Sequence, residues 1–136
     1  MKRNDFKILI AEDEPGARKL YEKAFRQEGY EVVTVEAGGQ ILAELEEQSF
    51  DLLITDLKLE AMSALEALPL IRQRRPSLPI IVVSGYYLNL VEDFHEKGYD
   101  VDLFMNKPLS LTDLKRAVRR ILGLPLEEAP QGNEKF

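Results

Sequence analysis

Glu12, Asp13, Asp56, Ser84 and Lys107 are spread over most of a 136-residue chain, yet each follows or closes a short apolar run. If a fold gathers them, three carboxylates from two segments meet, and like charges repel unless a cation lies between them. A hard divalent ion such as Mg2+, with Mn2+ as a substitute, suits that set, because it takes carboxylate, carbonyl and water oxygens and needs neither His nor Cys. A carboxylate in such a field can also attack a phosphoryl group, with a lysine and a hydroxyl holding the transferred oxygens. Glu12-Asp13-Glu14 argues against a nucleotide site, since it puts negative charge where a phosphate cradle would put glycines and free amides. The chain has no GxGxxG and no GxxxxGK[ST].

Elements that could converge these residues follow from periodicity. Apolar or β-branched runs predict strands over Phe6–Ala11, Glu31–Val35, Asp51–Asp56, Ile80–Ser84 and Val101–Asn106. Between them, helical spacing runs from Pro15 to a stop at Gly29, and again through Ile41, Leu42 and Leu45 after a Gly38-Gly39 loop. A third helix is predicted from the Ser63–Glu66 capping box to about Arg74, with Pro69 forcing a kink or a late start. A fourth covers Asn89–Lys97. A fifth, capped by Ser110 and ended by Gly123, should bury Leu111, Leu114, Val118, Ile121 and Leu122. Alternating strands and helices predict an α/β fold, a doubly wound five-stranded parallel sheet with helices on both faces. In such sheets ligands bind outside the carboxyl ends of the strands, where strand order reverses. The five chemical residues all fall at those ends.

Composition sets the frame. Twenty-four acidic against eighteen basic side chains leave a charge of −6, which disfavours unspecific nucleic-acid binding. Fifteen acids and eight bases lie in residues 1–66, so the whole excess belongs to the first half. Without cysteine there is no disulfide scaffold or thiolate zinc site, and with His95 alone no histidine cluster. Length predicts one domain over 1–123 and a flexible tail over 124–136, and no apolar run is long enough to span a membrane, so a cytoplasmic protein without a DNA-binding domain is expected. Arg72, Arg74 and Arg75, like Lys115, Arg116, Arg119 and Arg120, read as solvated helix ends.

Singly, each chemical residue has an ordinary reading: an acidic first helical turn, a strand-ending acid, a turn serine, a surface lysine. Jointly, ILIAEDE, LLITDL, IIVVSG and FMNKPLS resemble the receiver domain of bacterial two-component response regulators, single-domain and chemotaxis-regulator-like, over about residues 6–122. The resemblance implies a flavodoxin-like, receiver-type fold with Asp56 as phosphoacceptor. It implies Mg2+ held by Asp56, by Asp13 directly, by Glu12 directly or through water, and by the backbone carbonyl of Lys58. Lys107 would contact the phosphate, Ser84 would move toward it, and Phe104 would take the aromatic switch position. The Lys107–Pro108 bond is a candidate for the cis form. Implied partners are a sensor histidine kinase or histidine phosphotransfer protein upstream and an unnamed protein downstream, met on the face of the 89–97 helix, the fifth strand and the last helix. The chain departs from the family at Glu60 and Ala64, where proline and glycine are usual, in a longer turn between Gly98 and Lys107, and in Tyr86-Tyr87 after the switch serine. A Mg2+-dependent phosphohydrolase with an aspartate nucleophile is the alternative from another class, but it needs a second acid where Lys58 stands. An unphosphorylated interaction module is the third reading.

Overall fold

The computed structural model describes residues 5–59, 64–85 and 101–126. Its elements are β1 (Lys7–Ala11), α1 (Pro15–Gln27), β2 (Glu31–Val35), α2 (Gly38–Glu47), β3 (Leu52–Thr55), α3 (Ala64–Arg74), β4 (Ile80–Ser84), β5 (Leu103–Asn106) and α4 (Leu111–Leu122). The predicted 89–97 helix, the Ser63 cap, Tyr86-Tyr87, residues 98–100 of the Gly98–Lys107 stretch and the tail beyond Leu126 lie outside the described residues.

All strand pairs are parallel, in the order β2-β1-β3-β4-β5. Successive side chains of a strand point to opposite faces, so a run such as Ile8-Leu9-Ile10 must be covered twice. Leu9, Leu53, Ile80 and Val82 meet Ile41 and Leu45 of α2 and Ala67, Leu68 and Ile71 of α3. Ile8, Ile10, Ile54, Ile81 and Val83 meet Tyr21 and Phe25 of α1 and Leu114 and Val118 of α4 on the other side. Each fully buried aliphatic side chain contributes about 1.5–3 kcal/mol, which makes these two layers the main stabilising term. From β1 the chain passes outward to β2 and then back across β1 to β3, so the reversal of strand order falls between the carboxyl ends of β1 and β3.

Local chemistry marks the element ends. The Glu14 carboxylate caps α1, accepting from Gly16 N at 2.7 Å and Ala17 N at 3.0 Å. Ser110 Oγ caps α4 by accepting from Asp113 N at 3.0 Å, and Gly123 closes that helix at φ 73°, a left-handed turn that suits glycine. One expectation is corrected, and of the two alternatives at Pro69 the late start is excluded. Gly38-Gly39 opens α2 and is not a loop, because Gln40 Oε1 reaches back to Glu36 N at 2.8 Å and Ala37 N at 3.0 Å and satisfies the free donors of that helix start. Pro69 does not delay α3, which starts at Ala64 and is assigned as helix through the proline. Ala67, Leu68 and Ile71 are buried on both sides of it, and their burial outweighs a local cost of about 3 kcal/mol. Within α4 only Leu114 and Val118 are buried, while Leu111, Ile121 and Leu122 pack at the margin. No described helix is long and apolar enough to cross a membrane.

Of the three arginines at the end of α3, Arg74 is exposed, but Arg72 and Arg75 are not simply solvated. Arg72, 17% exposed, donates from Nη1 to the Leu78 carbonyl at 2.6 Å and places Nη2 3.6 Å from Asp102 Oδ2, and Arg75 donates to the Leu45 carbonyl. Asp102 forms a clasp ahead of β5: its N–H donates to the Ile80 carbonyl at 2.8 Å and its Oδ2 accepts from Ile80 N at 2.7 Å. This clasp sets the register in which Phe104 lies opposite Val82 and Asn106 opposite Ser84. Asp102→Ala leaves the Ile80 N–H without that acceptor, and it should lower stability by about 1–3 kcal/mol. The expected result is a lower urea midpoint at unchanged m-value, with faster amide exchange at Ile80.

Candidate functional site

The sheet hands its chemical residues over by extending its own hydrogen bonds one step past the strands. Glu12 N donates to the Val35 carbonyl at 3.0 Å, Asp56 N to the Ala11 carbonyl at 3.1 Å, and Lys107 N to the Ser84 carbonyl at 2.8 Å. The backbone of each residue is therefore as fixed as the strand before it. The Lys107–Pro108 peptide is cis, as the resemblance implied.

Glu12, Asp13 and Asp56 converge at the reversal point, each offering a carboxylate oxygen within 4.8 Å of the others. Glu12 is almost fully buried, at 2% exposure, whereas Asp13 and Asp56 remain partly open. Lys107 Nζ lies 2.7 Å from Asp56 Oδ2 and 3.0 Å from Glu12 Oε1. Backbone amides take the other oxygens: Lys58 N donates to Asp56 Oδ1 at 3.1 Å and Glu14 N to Glu12 Oε2 at 3.2 Å. Burial by itself would lower the Lys107 pKa, but the hydrogen bonds and charges of Asp56 and Glu12 outweigh it and raise the pKa above its ordinary value. The backbone bonds from Ala17 and Gly16 hold the Glu14 carboxyl below its usual range, so this cap stays ionised. Burial pushes the Tyr21 hydroxyl up, with Lys107 opposing and Glu12 and Asp56 adding to the effect.

One ammonium among three carboxylates leaves a charge of about −2, and the donors are all oxygens. That fits a hard divalent cation in both charge and chemistry. Of the residues singled out from sequence, Glu12, Asp13, Asp56 and Lys107 come together here, and Lys58 touches Asp56 through its amide while its side chain is exposed. Ser84 is buried at the end of β4, beside the Lys107 backbone. Phe104 stands in β5 and packs against the α2–α3 layer, outside the carboxylate cluster. Sequence reading missed Arg18, whose guanidinium bonds the carbonyl of Glu12, and Thr55, whose Oγ1 donates to the Asp56 carbonyl at 2.8 Å. Thr55 had a signal, a hydroxyl inside an otherwise aliphatic buried run; Arg18 had none beyond following the acids by one turn.

A family model described as "Response regulator receiver domain" matches residues 8–119. The chain is 28% identical over 129 residues to the transcriptional regulatory protein GlrR of Escherichia coli (strain K12), covering 95% of this chain but 28% of GlrR. It spans only about a quarter of the length of the first curated relatives it matches. Among solved structures it is similar to the receiver domain of the sensor histidine kinase PA1611 from Pseudomonas aeruginosa PAO1, with a magnesium ion coordinated in the active-site cleft (TM-score 0.76, 26% identity, 88% of this chain, 99% of that one). It is also similar to the response regulator TrrA from Thermotoga maritima in complex with Mg2+ and BeF (TM-score 0.76, 28% identity, 85% of this chain, 98% of that one).

Lys107→Met removes the positive charge that the carboxylates share, and the metal-free protein should lose thermal stability. The lysine's pKa is higher in the folded than in the unfolded chain, so its stabilisation is fully present below the ordinary value of 10.5 and is lost as pH rises through the raised value. The stability difference between wild type and variant, read from urea midpoints, should therefore stay constant from pH 7 to about 10 and shrink only in stronger alkali. A difference that vanished near neutrality would contradict the pairing.

Proposed function

The chain belongs to the response regulator receiver domain family, and from that premise we propose that it takes a phosphoryl group onto Asp56 and signals through altered protein contacts. The observation that carries this reading is the Asp56 carboxylate, held between the Lys58 amide and the Lys107 ammonium within 4.8 Å of two further acids. Asp56, Asp13, Glu12 and the Lys58 carbonyl would hold Mg2+, which when bound neutralises charge on the transferred oxygens. The donor is the phosphohistidine of a sensor histidine kinase or phosphotransfer protein. One carboxylate oxygen of Asp56 attacks phosphorus, the new P–O bond forms as the donor's P–N bond breaks, and the imidazole nitrogen leaves with the electron pair. The Lys107 ammonium, freed from Asp56 as that carboxylate becomes an acyl phosphate, turns to a phosphoryl oxygen. The Ser84 hydroxyl donates to another, drawing the end of β4 with it.

Ser84 and Lys107 are joined through backbone, so this shift is transmitted to β5 and to Phe104. The outward side of β5 and α4, where Leu103, Asp113, Arg116, Arg120 and Ile121 line a groove, is the described part of the output face we propose. The cytoplasm, where such donors expose their histidine, is the compartment this reading assigns. The domain accepts and loses its phosphoryl group without serving as a turnover enzyme.

Mg2+ with a small phosphodonor should add the mass of one phosphoryl group to wild type and nothing to Asp56→Asn, and beryllofluoride should bind wild type only when Mg2+ is present. Unmodified wild type under these conditions would leave the interaction-module reading in its place, and steady release of phosphate from phosphomonoesters would favour the hydrolase.

A further inference from the structure

Arg18 lies one turn into α1, outside the carboxylate cluster, yet its side chain reaches back to the loop that carries two of the acids. Nη1 donates to the Glu12 carbonyl at 3.1 Å and stands 3.5 Å from the Asp13 carbonyl. The same nitrogen is 3.8 Å from Glu36 Oε1, just past the end of β2, and the arginine side chain is only 17% exposed. Glu12 is thus gripped on both sides of its peptide unit, its N–H by the Val35 carbonyl and its carbonyl by Arg18. The Arg18 amide adds a bond to the Glu14 carbonyl at 2.9 Å. Two successive carbonyls turned to one guanidinium constrain the peptide units on both sides of Asp13, and with them the directions in which the Glu12 and Asp13 side chains leave the backbone.

From this we infer that Arg18, braced by Glu36, is a positioning residue that holds the acidic loop and thereby sets the affinity of the site for a divalent cation. The inference rests on the metal-binding reading given above. It also carries a sign that separates it from a simple charge effect. As a mere positive charge, Arg18 repels an incoming divalent cation, and its removal would tighten binding. As a brace its removal loosens the ligands, and outer partners of this kind are worth about 10-fold or more in metal affinity.

Arg18→Met, Arg18→Lys and Glu36→Gln, all in the full chain, give the test. Mg2+ titration calorimetry should show affinity weakened about 10-fold in Arg18→Met and partly restored in Arg18→Lys, which keeps the charge and one donor nitrogen, with a smaller loss in Glu36→Gln. In the metal-free protein the Glu14 amide, bonded to Glu12 Oε2, should exchange faster in Arg18→Met than in wild type, with midpoints of urea unfolding recorded alongside. Equal or tighter Mg2+ binding by Arg18→Met overturns the inference, as does a loss of stability with unchanged affinity of the folded protein. If wild type itself takes up no Mg2+, the functional reading falls, and the exchange rate then decides on the brace: unchanged protection at Glu14 rejects it.

Discussion

Three carboxylates cannot share one edge of a sheet without positive charge among them, and Lys107 supplies the part of it that the chain itself can give. Its ammonium sits between Asp56 and Glu12 at hydrogen-bonding distance from both. Everything else in the site follows from this partial neutralisation. The remaining negative charge, carried on oxygen donors alone, is what suits the cluster to a hard divalent cation. Lys107 is in turn placed by its backbone bond to Ser84, so the counter-charge and the Ser84 hydroxyl sit on directly bonded stretches of backbone.

Much of this was legible in the sequence because the physics is local there. Strands β2 and β4 begin and end where their apolar runs do, and Glu12, Asp13, Asp56, Ser84 and Lys107 could be assigned to strand ends from those runs alone. Sheet order and the convergence of the ends were not local facts, but alternating apolar strands and amphipathic helices leave few ways to cover both faces. What failed was chemistry that acts across space. Gln40 turning a glycine pair into a helix start, and buried neighbours carrying α3 through Pro69, both depend on partners that propensity does not see. Arg72 and Arg75 read as solvated charges because nothing in a basic run announces the carbonyls and the carboxylate that receive them.

The site shows the same division. Residue types predicted oxygen ligation of a hard cation, and the geometry supports it. The support around the ligands, Arg18 on the loop carbonyls, Thr55 on the Asp56 carbonyl and the amides of Glu14 and Lys58 on carboxylate oxygens, came only from the fold. Backbone groups do much of the holding, and they carry no sequence signature. Lys58 illustrates this: its side chain is exposed, and its contact with the acceptor is through an N–H that any residue but proline could provide.

The one-step extension of the strand hydrogen bonds has a further consequence. The bonds that complete the acceptor join residues far apart in the chain, 51 positions for Lys107 and Asp56 and 95 for Lys107 and Glu12. No fragment that lacks the β1–β3–β4–β5 pairing can bring them together, so in a partly folded or truncated copy Asp56 stands without its Lys107 partner. The ammonium–carboxylate contacts thereby form only with the same ladder that builds the core.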